Sequence, residues 1–159
     1  MMHIDRHEKI FIIVSILLLV VFATTLGVMA FAHGYQVPEP EMVVDPRTVA
    51  TPGFSPFAEP GLREVGPNEY EAYILAQTWA FLPREIRVPA GSTVTFYVTS
   101  KDVQHGFRLE NTNVNMMVLP GHVAKLKATF DKPGTYNFVC HEYCGIGHQT
   151  MYGTLVVEP

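Results

Sequence analysis

The chain is poor in cysteine, in tryptophan and in charge: its 159 residues hold two Cys, one Trp and 16% charged side chains. Two cysteines allow at most one disulfide and cannot by themselves fill a structural zinc site, which takes four Cys or His ligands. The Cys-x-x-Cys-His run that attaches a c-type haem is missing. Basic side chains are outnumbered, 11 against 15 acidic, for a net charge of −4, which counts against nucleic acid as a partner. There is no internal repeat. The one long apolar run contains no acid or histidine with which to hold haem or conduct protons inside a membrane.

What is present is concentrated near the C-terminus. Cys140-His141-Glu142-Tyr143-Cys144-Gly145-Ile146-Gly147-His148-Gln149-Thr150-Met151 places two thiols, an imidazole and a thioether within a short loop. Soft ligands of this kind suit copper rather than magnesium, calcium or manganese. A mononuclear blue-copper site needs one Cys, two His and a weak axial Met, so the second Cys suggests a second metal ion. Bent at the three intervening residues, the loop can turn both sulfurs to one side, where each bridges two copper ions. Each copper then needs a strong terminal ligand: His148 supplies one imidazole, and His105, in Asp102-Val103-Gln104-His105, is the best source of the other. Met151 and a backbone carbonyl of the loop can complete the set as weak ligands. A disulfide between Cys140 and Cys144 is the competing reading, and the accompanying His105, His148 and Met151 weigh against it.

The pattern Cys-x-Glu-x-Cys-Gly-x-x-His-x-x-Met, with the upstream Asp-Val-x-His and the intervening Pro120-Gly121, resembles subunit II of haem-copper cytochrome c oxidases, over about Tyr70 to Val157. The resemblance implies a dinuclear CuA centre with Cys140 and Cys144 as bridging thiolates. It assigns His105 and Met151 to one copper, and His148 and the backbone carbonyl of Glu142 to the other. It implies electron transfer from cytochrome c to haem in a catalytic subunit I, with oxygen reduction in that partner. A single membrane segment and a short chain resemble the B-type branch most. In larger relatives the acid at the Glu142 position helps bind Mg²⁺ at the boundary with subunit I, so its side chain is either a Mg²⁺ ligand or a solvated carboxylate. Trp79 is either the place where electrons from cytochrome c arrive or a packing aromatic. Two rivals share the loop: the CuA portion of a nitrous oxide reductase, and a membrane-tethered copper carrier or assembly factor.

Residues 10–32 are uncharged and apolar, and as a helix they reach about 34 Å, enough to span a bilayer. A signal peptide ending at Ala30-Phe31-Ala32 is the alternative, but the run exceeds the roughly 7–15 residues of a signal h-region. Arg6 and Lys9 precede the segment and the next basic residue is Arg47. By the positive-inside rule, residues 1–9 are cytoplasmic and the rest faces the periplasm or outer surface of the plasma (inner) membrane.

Residues 33–68 are rich in Pro and Gly without apolar periodicity and read as an irregular linker. Residues 69–159 form one domain of short alternating runs. Val94, Phe96 and Val98 are expected on one strand face with Thr93, Thr95, Tyr97 and Thr99 on the other, and Ala124, Leu126, Ala128 and Phe130 alternate with Lys125, Lys127 and Thr129. Turns at Pro89-Ala90-Gly91, Pro120-Gly121 and Lys132-Pro133-Gly134 complete a mostly β, cupredoxin-like Greek-key sandwich or barrel behind one N-terminal transmembrane helix. The ligand loop joins two of its strands. His141 and His122 are expected at the surface, and Met116 and Met117 in strand-end packing.

Overall fold

The computed structural model describes residues 5–34 and 39–159. Residues 1–4 of the expected N-terminal tail and 35–38 of the expected linker lie outside them. The chain divides into two compact units, residues 1–36 and 37–159.

The first unit is helix α1, Arg6–His33, longer at both ends than the uncharged run. The Asp5 side chain caps it by accepting the His7 backbone N–H, and Gly34 ends it in the left-handed conformation that glycine adopts without steric cost. Thr24 and Thr25 donate their hydroxyls to the carbonyls of Val20 and Val21 at 2.7 and 2.8 Å, so their polar groups are satisfied within the helix. None of its residues is buried against protein, and it is long and apolar enough to cross a membrane.

The second unit is a sandwich of two sheets. One has the order β1 (Glu39–Val43), β9 (His122–Phe130), β6 (Ser92–Ser100), β3 (Glu69–Gln77), β2 (Gly61–Gly66), with β4 (Ala80–Leu82) also paired to β3. The other runs β5 (Glu85–Pro89), β11 (Tyr152–Glu158), β10 (Gly134–Val139), β7 (His105–Leu109), β8 (Asn115–Val118). The strands are rich in β-branched and aromatic residues whose alternate positions are buried, as in β5, where Ile86 and Val88 point inward and Glu85 and Arg87 outward. Pairs β3–β6 and β5–β11 are parallel, so the chain crosses between sheets instead of turning back in a hairpin. The cupredoxin-like sandwich expected from the alternation is therefore the fold. Its core centres on Phe81, Phe96, Phe107 and Phe138; the Phe81, Phe107 and Phe138 rings touch one another at centroid distances of 5.1 to 5.5 Å.

The segment expected to be an irregular linker departs from that reading. It supplies β1 and β2 to the first sheet, and it buries Val49 and Phe57 against Leu75, Tyr97 and Val123. Tyr97 and Thr99, expected on a solvated face, are consequently buried, so β6 is covered on both sides. Prolines keep the segment from repeating any period while leaving it free to wrap the sheet. Beneath it Tyr73 stacks on Tyr97 at 4.9 Å, Phe57 meets Tyr73 edge-on at 5.5 Å, and the Arg63 guanidinium lies 4.3 Å from the Tyr73 ring. Burial, and then the hydrogen bond to Glu71, push the Tyr73 hydroxyl up to about 12.

Candidate metal centre

Three strand ends of the second sheet converge on the ligand loop. His105 opens β7, Val139 closes the antiparallel β10, and Tyr152 opens β11 directly opposite Val139. The loop is shut at its neck by the Cys140 N–H donating to the Met151 carbonyl at 3.1 Å. Inside it, the N–H groups of His148 and Met151 donate to the carbonyls of Gly145 and His148, each at 3.1 Å, winding a short turn that aims His148 back toward the cysteines.

The Cys140 and Cys144 sulfurs lie 3.8 Å apart and are not joined in a disulfide. Against Cys140 Sγ sit His105 Nδ1 at 3.9 Å and the Glu142 carbonyl at 3.2 Å. Against Cys144 Sγ sit His148 Nδ1 at 3.6 Å and Met151 Sδ at 3.8 Å. His105 and Met151 are 0% and 2% exposed and both cysteines 7%, while His148 and Glu142 are half-buried, so the centre has a dry inner side and a rim near solvent. All six residues singled out in the sequence are thus brought together, Glu142 through its carbonyl. Its carboxylate turns outward to Gln104 Nε2 at 3.4 Å and His141 Nδ1 at 3.5 Å. Two thiols, two imidazoles, a thioether and a carbonyl form a soft donor set that fits copper.

Asp102 was visible in the sequence only as part of a motif, and the structure gives it a task. Its Oδ1 is 2.9 Å from His105 Nε2, which directs Nδ1 at the Cys140 sulfur. A carboxylate behind an imidazole fixes the tautomer and orientation of a metal-binding histidine. The other oxygen accepts from the Thr78 N–H at 2.7 Å and hydroxyl at 2.9 Å, tying the turn before Trp79 to the same histidine. The three-residue spacing from Asp102 to His105 was the available signal.

Trp79 lies against the loop from outside. Its Nε1 donates to the Cys144 carbonyl at 3.0 Å, and the ring is 39% exposed overall. A Cβ at Gly147 would come within 2.5 Å of this ring, and one at Gly145 within 3.0 Å, so both positions need glycine for the indole to approach the backbone. Packing against the loop and exposure to solvent therefore coexist in one residue. His122 is exposed, as expected; of the two methionines assigned to packing, Met116 is in the core, whereas Met117 faces out.

The thiols differ electrostatically. Burial alone would raise Cys140, but hydrogen bonds from His105, the Gly106 and Glu142 backbone and Cys144 outweigh it and bring it down to about 6. Burial, then the hydrogen bond and charge of Cys140, push Cys144 up to about 11. Burial disfavours a proton on His105, yet Cys140 and Asp102 on either side of the ring raise its affinity above that of an ordinary imidazole. Without a cation, one thiolate is stable here and two are not.

Comparison with known proteins agrees with this geometry. The family model for cytochrome c oxidase subunit II, periplasmic domain, matches residues 76–158. Cytochrome c oxidase subunit 2 of Thermus thermophilus is 41% identical over 156 residues, covering 96% of this chain and 92% of that protein. A chain in a cryo-EM structure of a heme-copper terminal oxidase dimer superposes with a TM-score of 0.78 at 38% identity, covering 96% of this chain and all of that one. Nitrous-oxide reductase of Stutzerimonas stutzeri is 32% identical over 96 residues, which is 58% of this chain but 15% of the reductase. With its loop, its sandwich and its near full-length relatives in agreement, the chain belongs to the cytochrome c oxidase subunit II family.

Proposed function

We propose that this chain accepts single electrons from cytochrome c at a dinuclear copper centre and passes them to haem in subunit I of a terminal oxidase, where O2 is reduced to water. The observation that carries the reading is the convergence of two buried sulfurs 3.8 Å apart with two imidazoles, a thioether and a carbonyl. Cys140 and Cys144 would bridge the ions, His105 and His148 would cap them, and Met151 and the Glu142 carbonyl would be the weak ligands. Two thiolate-bridged coppers supply a one-electron store in which the distortion on redox change is divided between two ions. The chain's part is rigidity: Asp102 orients His105, the neck hydrogen bond sets Cys140 and Met151, and the aromatic core behind them excludes water. In this reading α1 is a retained anchor with a cytoplasmic N-terminus, and the sandwich is periplasmic. N-terminal sequencing of the purified protein tests the anchor, since a chain beginning at His33 would rule it out.

Electron paramagnetic resonance of the copper-loaded protein is the direct test. Hyperfine structure from one unpaired electron shared over two coppers is expected, and a single-copper pattern would sink the reading. It would also favour the rival of a copper carrier, which needs an exposed and exchangeable site. The reductase rival is weakened because the match to it is 32% identical over 58% of this chain, against 41% over 96% for the oxidase subunit.

Copper affinity should rise with pH. Above about 6 Cys140 is already a thiolate, but Cys144 must lose a proton to bind, so affinity climbs at least roughly tenfold per unit up to about 11, and more steeply wherever His105, with its raised proton affinity, must also give up a proton. Below about 6 both thiols must be deprotonated and the slope steepens. Competition with a chelator across pH 5 to 9 measures this, and a flat profile would show that the thiols are not the ligands.

Trp79→Ala should slow electron acceptance from cytochrome c while leaving the copper spectrum intact, because the indole meets the loop at the Cys144 carbonyl and against Gly145 and Gly147, on backbone rather than on the donor side chains. An unchanged rate with cytochrome c would assign Trp79 to packing alone. The family resemblance also suggests Mg²⁺ at the Glu142 carboxylate. Metal analysis of the assembled oxidase should then show Mg²⁺ lost in Glu142→Gln, and equal content in both proteins would refute it.

A further inference from the structure

Alternation along β7 turns His105 into the core and leaves Gly106 on the outer face of the sheet. Gly106 is the register partner of Met117 on β8, so the two positions share that face. The place a side chain at 106 would take is filled by the His141 ring: a Cβ there would lie 2.6 Å from His141 Nδ1 and Cε1. The imidazole therefore stands in for the cross-strand neighbour of Met117. Gln104 ties the group together, its Nε2 lying 3.1 Å from Met117 Sδ and 3.4 Å from Glu142 Oε2, while Glu142 Oε1 is 3.5 Å from His141 Nδ1. A surface thioether, an imidazole and a carboxylate are thus assembled beside the ligand loop, and none of the roles given to the buried ligands uses Met117 or His141.

We propose that Met117 and His141 form a surface acceptor for cuprous ion, which is handed inward to the Cys140 and Cys144 thiols while the centre is being loaded. The inference rests on the copper reading above. Thioether and imidazole are the soft, uncharged donors that favour Cu(I), whereas a hard cation such as Mg²⁺ asks for more oxygen than this chain's one carboxylate and one amide provide and would have to draw the rest from subunit I in the assembled oxidase. Glu142 supplies the negative charge that draws a cation to the face. His105, Cys140, Cys144 and Met151 are 0–7% exposed and His148 is half-buried, so a soft acceptor on the adjoining surface raises the local supply of copper to donors that meet little solvent. This one is adjacent to the centre along both chains that build it: Gly106 follows His105, and His141 follows Cys140. The transfer is a ligand exchange with copper remaining Cu(I). The bonds to Met117 Sδ and the His141 ring break, bonds to the cysteine sulfurs form, and the thiol protons leave to solvent.

The test uses the full chain in detergent, copper-free and reduced, mixed with one and two equivalents of Cu(I), with the loss of free thiols followed in time. Met117→Leu and His141→Asn should each slow loading at least about fivefold, and together about twentyfold or more, with the final copper content unchanged. A parallel measurement uses Ag(I), a redox-inert substitute for Cu(I), with the Cys140→Ser/Cys144→Ser chain. One equivalent should shift the Met117 methyl resonance, and adding Met117→Leu should remove the binding. Loading rates within twofold of the parent chain, or Ag(I) binding that leaves the Met117 methyl unmoved, would overturn the proposal. Those results leave intact the two-copper hyperfine pattern that the loaded chain shows once ferricyanide has removed one electron from it, whereas failure of the copper reading itself removes that pattern.

Discussion

Cys144→Ser should lose the paired centre while keeping the fold. A serine hydroxyl cannot become the thiolate that a bridging position requires, and Cys144 is the residue against which both His148 and Met151 are arranged. Disturbing an outer partner of a metal ligand already costs about 10–100-fold in affinity or activity. Removing a bridge should exceed that, taking copper content from two per chain to one or none and electron acceptance from cytochrome c down by more than about a hundredfold. The position lies in the loop, outside every strand, so the sandwich should survive. Metal analysis beside circular dichroism reads both outcomes. Two retained coppers in a folded Cys144→Ser chain would remove Cys144 from the centre.

The second large effect falls on stability. Phe138→Ala deletes a ring that is 0% exposed and contacts both Phe81 and Phe107. Truncating a buried phenylalanine costs about 3–5 kcal/mol, a large fraction of the roughly 5–15 kcal/mol by which a domain is stable. The loss should appear as a lower denaturation midpoint for the copper-free chain, followed by the fluorescence of its single Trp79, with the slope against denaturant unchanged. Copper should recover part of it, because a ligand that binds only the folded state stabilises that state by mass action. A change below about 1 kcal/mol would mean that the cavity collapses around the missing ring. Phe138 lies two residues before Cys140 and shares its core cluster, so the variant should also bind copper less tightly.

How far the sequence could be read depended on the range of the interaction. The ligand loop was legible because its donors are close in the chain and chemically unusual, and His105 because it carries an Asp-Val-x-His motif. Strands β6 and β9 were legible from period-two alternation. Tyr97 and Thr99 were misplaced because alternation reports two faces but cannot say that a distant segment covers the second one. The cover, with Val49 and Phe57, comes from a proline-rich stretch that has no period of its own. The roles of Asp102 and Gly106 were hidden for a related reason: each acts by what stands opposite it in space, His105 with Thr78 in one case and His141 in the other. Outer partners of this kind have no spacing rule as strong as that of the ligands themselves.

The strand pairings also set a schedule for the growing chain. Strand β1 waits for β9, β5 waits for β11, and β10, already paired to β7, gains its second neighbour only with β11. A nascent chain that has emerged only as far as Met151 carries every donor yet lacks the strand that closes the loop's neck into a ladder. The ligand cage is therefore among the final parts of the molecule to take shape, and its cysteines emerge as free thiols before the strand that closes the loop. Any oxidant present during that interval meets them before copper can, so maturation of such a chain is a race between metal delivery and thiol oxidation.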